Sequence, residues 1–203
     1  MPRCALSCVT GRFQPVHRQH LELFLEALAG SDRLIVAITN PDPGTREPRA
    51  ESAHRHLPES NPFTYWERLR MVRAALTGAG IADGAVDVVP FPLHHPAVWP
   101  HYVPLGAAHL VRVYSEWEAA KARELEAAGY PVRVLAGDER TRLSGAEVRR
   151  ALREAGPWRP MLPGAVVPLV ERLLSDMPLG ERAGGKWQGG SPPQMGASAP
   201  EHT

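Results

Sequence analysis

Over 203 residues the chain is 43% hydrophobic and carries a formal net charge of +1. That is enough apolar material for one ordinary core, and too little charge for any general attraction to nucleic acid or an anionic membrane. No run of eighteen apolar residues and no signal-peptide pattern occurs, which predicts a cytoplasmic protein without a membrane partner.

Ala5 to Thr10 is short, apolar and β-branched at its end, and reads as a buried first strand. Cys4 and Cys8, four apart on that strand, lie on one face but about 13 Å apart, too far for a disulfide. The stretch Gly11-Arg12-Phe13-Gln14-Pro15-Val16-His17-Arg18-Gln19-His20 follows, and then Leu21, Phe24, Leu25 and Leu28 fall at helical spacing. Gly11 lets the backbone turn sharply and approach a ligand, and the N–H groups of a helix start favour an anion. Arg12 adds a fork of donors, while His17 and His20 share one face of the first helical turn. Together these groups predict a phosphate-handling loop.

Arg33 to Thr39 is a second strand, nearly continuous in apolar residues as a central parallel strand is. From Asn40 the chain turns polar and proline-broken as far as Ser60, and residues 41–60 are expected to form a flexible insert or lid. Thr64 and Glu67 form a capping box opening a helix with Leu69, Val72 and Leu76 inside, ending near Gly78 to Gly80. Val86 to Phe91 is a third strand, followed by a loop holding His94, His95, Trp99 and His101. A fourth strand runs from His109 to Tyr114, a charged helix from Trp117 to Ala128 with its charges read as a solvated face, and a fifth strand from Tyr130 to Leu135. Ser144 and Glu147 cap another helix, and Pro163 to Leu174 supplies the last.

The alternation of strand and helix predicts an α/β fold: a doubly wound, Rossmann-like parallel sheet of five strands with helices on both faces. Ligands in such folds bind beyond the carboxyl ends of the strands, where strand order reverses. One domain is expected over 1–177, with 178–203 a disordered tail rich in Gly, Ser, Pro, Ala and Gln. The histidine clusters His54-Arg55-His56 and His94-His95 lack a cysteine pair or carboxylate at ligand spacing, so no metal site is predicted.

The pattern G-R-F-Q-P-x-H-x-x-H resembles the first signature of the HxGH nucleotidyltransferase superfamily, in the form seen in archaeal-type nicotinamide-nucleotide adenylyltransferases. Thr141-Arg142-Leu143-Ser144-Gly145-Ala146-Glu147-Val148-Arg149-Arg150 resembles its late signature, a Ser/Thr-rich turn with an arginine for the outgoing phosphates. Asn61-Pro62-Phe63-Thr64 and Glu126-Ala127-Ala128-Gly129-Tyr130-Pro131-Val132 resemble segments between them, so the similarity spans about Cys4 to Leu174. Gln19 stands where those proteins have glycine, Ala146 where they usually have threonine, and Ser115-Glu116-Trp117 where they have a serine–asparagine pair. Ile38 to Pro43 together with Asn61 to Tyr65 is similar instead to a bacterial branch found with phosphonate natural-product pathways, the phosphonoformate cytidylyltransferases.

The resemblance implies nucleotidyl transfer, with His17, His20, Arg12 and Arg149 as catalytic residues. It also implies nucleotide contacts from Gly11, Arg12, Phe13, Gln14, His20, Ser115, Ser144 and Arg149, and acceptor contacts from Asn40, His94, His95 and Trp99, the last as a ring-stacking tryptophan. Mg²⁺ is the implied cofactor, bridging phosphates with few protein ligands. The implied partners are a nucleoside triphosphate and a small anionic phosphonate or mononucleotide, with homo-oligomerisation open. Three functions stay open at this point: cytidylyl transfer to a small phosphonate, adenylyl transfer to nicotinamide or nicotinate mononucleotide, and non-catalytic nucleotide-binding regulation.

Overall fold

A computed structural model describes residues 3–48 and 55–182. Five parallel strands, β1 (Cys4–Gly11), β2 (Ser31–Thr39), β3 (Val86–Phe91), β4 (Ala108–Val113) and β5 (Val132–Ala136), form one sheet in the order β3-β2-β1-β4-β5. The helices are α1 (Arg18–Ala29), α2 (Tyr65–Gly78), α3 (Glu116–Ala127), α4 (Gly145–Arg153), α5 (Val167–Asp176) and the short α6 (Leu179–Arg182). This is the doubly wound architecture that the pattern predicts.

Strand periodicity sorts the core into two layers. Val9, Leu34, Val36 and Ile38 face one way and pack with Phe24 of α1, Met71 and Val72 of α2, Val148 of α4 and Val170 of α5. Cys8, Ile35 and Ala37, one residue out of phase, face the other way onto Phe91, Trp99, Ala122 and Leu125, the last two on α3. Cys4 and Cys8 are both free thiols, and burial pushes the Cys8 pKa up.

Chain order creates the site. Strands proceed from β1 outward to β3 on one side, then cross to β4 and β5 on the other, so order reverses between β1 and β4. β1 keeps register with β2 from Cys4 to Gly11, but with β4 only at Ser7 and Cys8. Beyond Cys8 the two strands part, and a crevice opens at their carboxyl ends.

The insert is tied at both flanks, with short 3-10 turns at Pro43–Thr45 and Pro58–Ser60. Residues 49–54 of it, including His54, lie outside the described residues, as do 183–203 of the expected tail. At the start of that tail, Leu179 is buried against the core.

Candidate active site

Three helices begin at the crevice, and each brings its N-terminus to the same volume. His17 precedes α1, Ser115 precedes α3 and Ser144 precedes α4, and all three line a cleft of about 1340 Å³. Converging helix starts place partial positive charge there. His20, Arg142 and Arg149 line the same cleft, so the early and late motifs meet.

The two histidines stack, ring centroids 3.5 Å apart. The His17 N–H donates to His20 Nδ1 at 3.2 Å, which leaves the His20 proton on Nε2. Burial, reinforced by Arg142, lowers the His17 pKa to about 3; burial, with His17, Lys121 and Arg12 nearby, drives His20 well below the usual imidazole range. Both are therefore neutral donors at physiological pH. Phe13 packs edge-on against His20 and Phe24 with its backbone at φ 52, in the left-handed region. Its ring explains Gly11: a Cβ there would lie 2.7 Å from the Phe13 ring.

Several expected nucleotide contacts hold the protein to itself. The Gln14 amide donates to the Phe63 carbonyl and accepts from the Phe63 N–H, at 2.8 and 2.9 Å, clipping the loop to the start of α2. The Gln14 carbonyl takes the Arg149 guanidinium at 2.8 Å, and Gly145 leaves room for this: a Cβ there would be 3.2 Å from Arg149 Nη1. Arg12 donates to the carbonyls of Arg55 and Ser60, and is held far below its ordinary pKa by burial and then by Arg55, Arg149 and other arginines. The Ser144 hydroxyl donates to Glu147 at 2.7 Å and accepts the Glu147 N–H, and Ser115 makes the matching hydroxyl bond to Glu118 at 2.6 Å. Both hydroxyls serve helix initiation, and both residues line the cleft.

A smaller cavity of about 430 Å³ adjoins the cleft and holds Asn40 and His94. His95 does not line it; its Nε2 lies 3.6 Å from Glu47 on an exposed flank. Trp99 requires a correction. It is fully buried, its indole N–H donates to the Pro92 carbonyl at 3.0 Å, and its ring stacks on Phe91. A side chain with no exposed face cannot stack on an acceptor, so Trp99 is core.

The helix read as a solvated charged face also departs from expectation. Glu118 is buried and accepts from Ser115 and from Arg142 at 3.0 Å, with Arg55 at 3.8 Å. Arg55 stacks over Trp117, 4.5 Å from the ring centroid. Lys121 reaches inward and donates to the Thr10 carbonyl at 3.3 Å. Arg55, Lys121 and Arg142 all line the cleft. A second arginine escaped sequence reading: Arg68, fully buried on α2, donates to the carbonyls of Arg12, Thr39 and Asn40 at 2.7–2.9 Å and ties the ends of β1 and β2 together.

The donor set does not suit a resident metal. No cluster of three or more His, Cys, Asp or Glu occurs among the described residues, and Glu118, the cleft's carboxylate, is committed to its cations. A divalent ion here would belong to the triphosphate, as part of the substrate.

Comparison with known proteins agrees with this geometry. The family model described as cytidylyltransferase-like matches residues 8–151. Phosphonoformate cytidylyltransferase of Streptomyces viridochromogenes is 40% identical over 168 residues, covering 83% of this chain and 91% of that protein. Nicotinamide-nucleotide adenylyltransferase of Pyrococcus horikoshii is 29% identical over 164 residues, covering 80% of this chain and 81% of the other. Among solved structures, a bifunctional NMN adenylyltransferase/ADP ribose pyrophosphatase from Francisella tularensis superposes with a TM-score of 0.65 at 17% identity, over 89% of this chain and 53% of that one. The same protein complexed with AMP and a manganese ion gives 0.62 over 89% and 52%. The chain thus spans about half the length of that bifunctional protein, and the likeness is one of fold. With its early and late motifs meeting at the β1–β4 reversal and the family model matched across most of its length, the chain belongs to the cytidylyltransferase-like nucleotidyltransferases.

Proposed function

We propose that this protein transfers the cytidylyl group of CTP to an oxygen of a small phosphonate, such as phosphonoformate, releasing pyrophosphate. The observation that carries the acceptor is the smaller cavity, where Arg12, Arg55 and Lys121 gather beside the triphosphate cleft. Neither nearby tryptophan offers a face to a pyridine ring, since Trp99 is in the core and Trp117 lies under Arg55. A compact, doubly charged acceptor suits such a wall; a nicotinamide ring does not. The choice of CTP over ATP rests on the 40% identical relative.

The chemistry is an in-line displacement. The acceptor oxygen attacks the α-phosphorus, and the bond from α-phosphorus to the α–β bridging oxygen breaks, its electron pair leaving with pyrophosphate. Both reactants are anions, so positioning and charge stabilisation carry most of the acceleration. His17 and His20, kept neutral by burial, donate to α- and β-phosphate oxygens without being discharged by the reaction. Arg149 and Arg142 take the outgoing phosphates, with the backbone N–H groups at the start of α4 beside them. A divalent ion such as Mg²⁺ would come as part of the triphosphate substrate and would screen its charge. Such reactants fit a cytoplasmic protein.

A pyrophosphate-release assay crossing CTP and ATP with phosphonoformate and nicotinamide mononucleotide tests this reading. Release is expected with CTP and phosphonoformate, and its loss on adding EDTA. Release confined to ATP and nicotinamide mononucleotide would make the protein an adenylyltransferase. Silence in every combination, with CTP binding retained, would make it a regulator.

A further inference from the structure

The sequence contains 21 arginines and two lysines, Lys121 and Lys186, of which Lys121 lies among the described residues. A chain that uses arginine almost everywhere for positive charge has kept an amine at the seam of its two cavities. Thr10, Gly11, Arg12, Arg55, Trp117 and Lys121 line both the large cleft and the small one. Of the three cations in that shared wall, Arg12 is bonded to two insert carbonyls and Arg55 is stacked on Trp117 beside Glu118. Among the described residues Lys121 makes one hydrogen bond, to the Thr10 carbonyl, which leaves two ammonium protons for a ligand. Next to it, the buried Thr10 Oγ1 has no hydrogen-bond partner among the described residues.

We propose that Lys121 is a catalytic residue, its ammonium donating at once to the attacking oxygen of the acceptor and to a non-bridging oxygen of the α-phosphate. The assignment rests on the transferase reading above. An ammonium is a compact charge with tetrahedrally directed donors, so one group can hold two oxygens from different molecules and a carbonyl besides. A planar guanidinium matches a single anion edge-on. As the acceptor oxygen bonds to the α-phosphorus and pyrophosphate leaves with the bond pair, charge shifts from one held oxygen to the other, and Lys121 stays in contact with both. An acceptor arriving as an anion needs no proton removed. Thr10 Oγ1 is placed to add a further donor to the same oxygens.

The surroundings of Lys121 agree. Burial, reinforced by Arg55 and opposed by Glu118 and Cys8, pulls its pKa down to about 8. Around it stand Glu118 on its own helix, Arg55 from the insert, Cys8 on β1, His20 on α1 and His109 on β4. The ammonium is therefore present below about pH 8 and is lost above it. A bound anion raises that value, so the limb should stand at higher pH in kcat than in kcat/KM for the acceptor.

The test uses the full chain with CTP and phosphonoformate, comparing wild type, K121Q and K121R in steady-state kinetics, CTP binding by calorimetry and thermal unfolding. For K121Q we expect kcat to fall by about a hundredfold or more and the acceptor KM to rise about tenfold, with the Kd for CTP rising by no more than about tenfold, since the rest of the triphosphate keeps its contacts. Wild-type kcat/KM should fall above about pH 8, and K121R should lose that limb, since guanidinium stays charged. A folded K121Q with kcat within about fivefold of wild type would overturn the assignment. If K121Q does not fold, an unchanged alkaline limb in K121R overturns it instead. A wild-type protein silent with every acceptor overturns the transferase reading itself, and the role of Lys121 with it.

Discussion

Across 124 positions of sequence, Gln19 Oε1 accepts the Leu143 N–H at 2.9 Å. The same amide donates to the Thr141 carbonyl at 2.6 Å and accepts the Tyr114 hydroxyl at 3.1 Å. Gln19, the departure from glycine in the early motif, thus fastens the start of α1 to the turn before α4 and to the end of β4. Gln19→Ala removes three hydrogen bonds, together about 1–3 kcal/mol, so the midpoint of thermal unfolding should fall by about 3–10 °C. Because the two phosphate motifs then meet less firmly, the KM for the nucleoside triphosphate should rise about tenfold with kcat within about threefold. Melting curves and initial rates decide; an unchanged KM would show that the fastening does not organise the site.

His20→Ala should leave the fold intact and cut turnover by about a hundredfold, the scale of losing one preorganised donor to the developing charge. Its ring lies against Phe13 and His17 near the cleft, where loss of the imidazole leaves space that water can enter. Single-turnover rates on protein of verified circular dichroism are the measurement, and near-normal turnover would remove His20 from the chemistry.

Arg68→Met should destabilise without touching the substrates. Burial lowers the Arg68 pKa to about 9, yet the charge is surrounded by carbonyls of Arg12, Thr39, Asn40 and Thr64, which lose their donor if it goes. Breaking a buried charged cluster costs about 3–5 kcal/mol, so the unfolding midpoint should drop by about 10 °C or more. Differential scanning calorimetry reads this directly; a drop under about 3 °C would show that water or repacking supplies the missing donors.

Acid should destabilise the protein through its buried histidines, His17, His20 and His109. His17 and His109 are lowered to about 3 from an ordinary 6.5, mainly by burial. Between those values the unfolded chain binds protons that the folded one refuses. The stability is therefore complete above about pH 6.5 and is lost progressively as pH falls toward 3. Both ring nitrogens of His109 are buried without hydrogen-bond partners among the described residues, in a pocket of Phe91 and Tyr130. His109→Leu should thus reduce the loss on going from pH 8 to pH 5.5 by about 1.4 kcal/mol, or about 3–5 °C. Parallel melts of the two proteins at both pH values would refute this if the difference between them did not change.

Much of this architecture is legible in the residues themselves. Val9, Val36 and Ile38 announce strands by their β-branching, and Thr64/Glu67 and Ser144/Glu147 announce helix starts by spacing alone. The early and late motifs likewise advertise their meeting, because their chemistry makes sense only together. What sequence hides is which way a helix turns a charge. The spacing in Glu116 to Glu126 fits an exposed face as well as an inward one, and only the β1–β4 reversal directs Glu118 and Lys121 to the cleft. Arg68 is hidden for the same reason: an arginine among Leu69 and Val72 looks solvated until the carbonyls around it are seen. Trp99 misleads in the opposite sense. Beside a loop of histidines it looks like a ligand platform, yet the turn of Pro96–His101 folds it under β3.

The parting of β1 from β4 after Cys8 has one more result. Past the last register pair, the Thr10 carbonyl meets an ammonium from α3 where further up the sheet it would meet another strand. Backbone polarity at a frayed seam is thus enough to recruit a cation there. The winding of the sheet, rather than any signature of consecutive letters, delivers the amine to the junction where two reactants must touch.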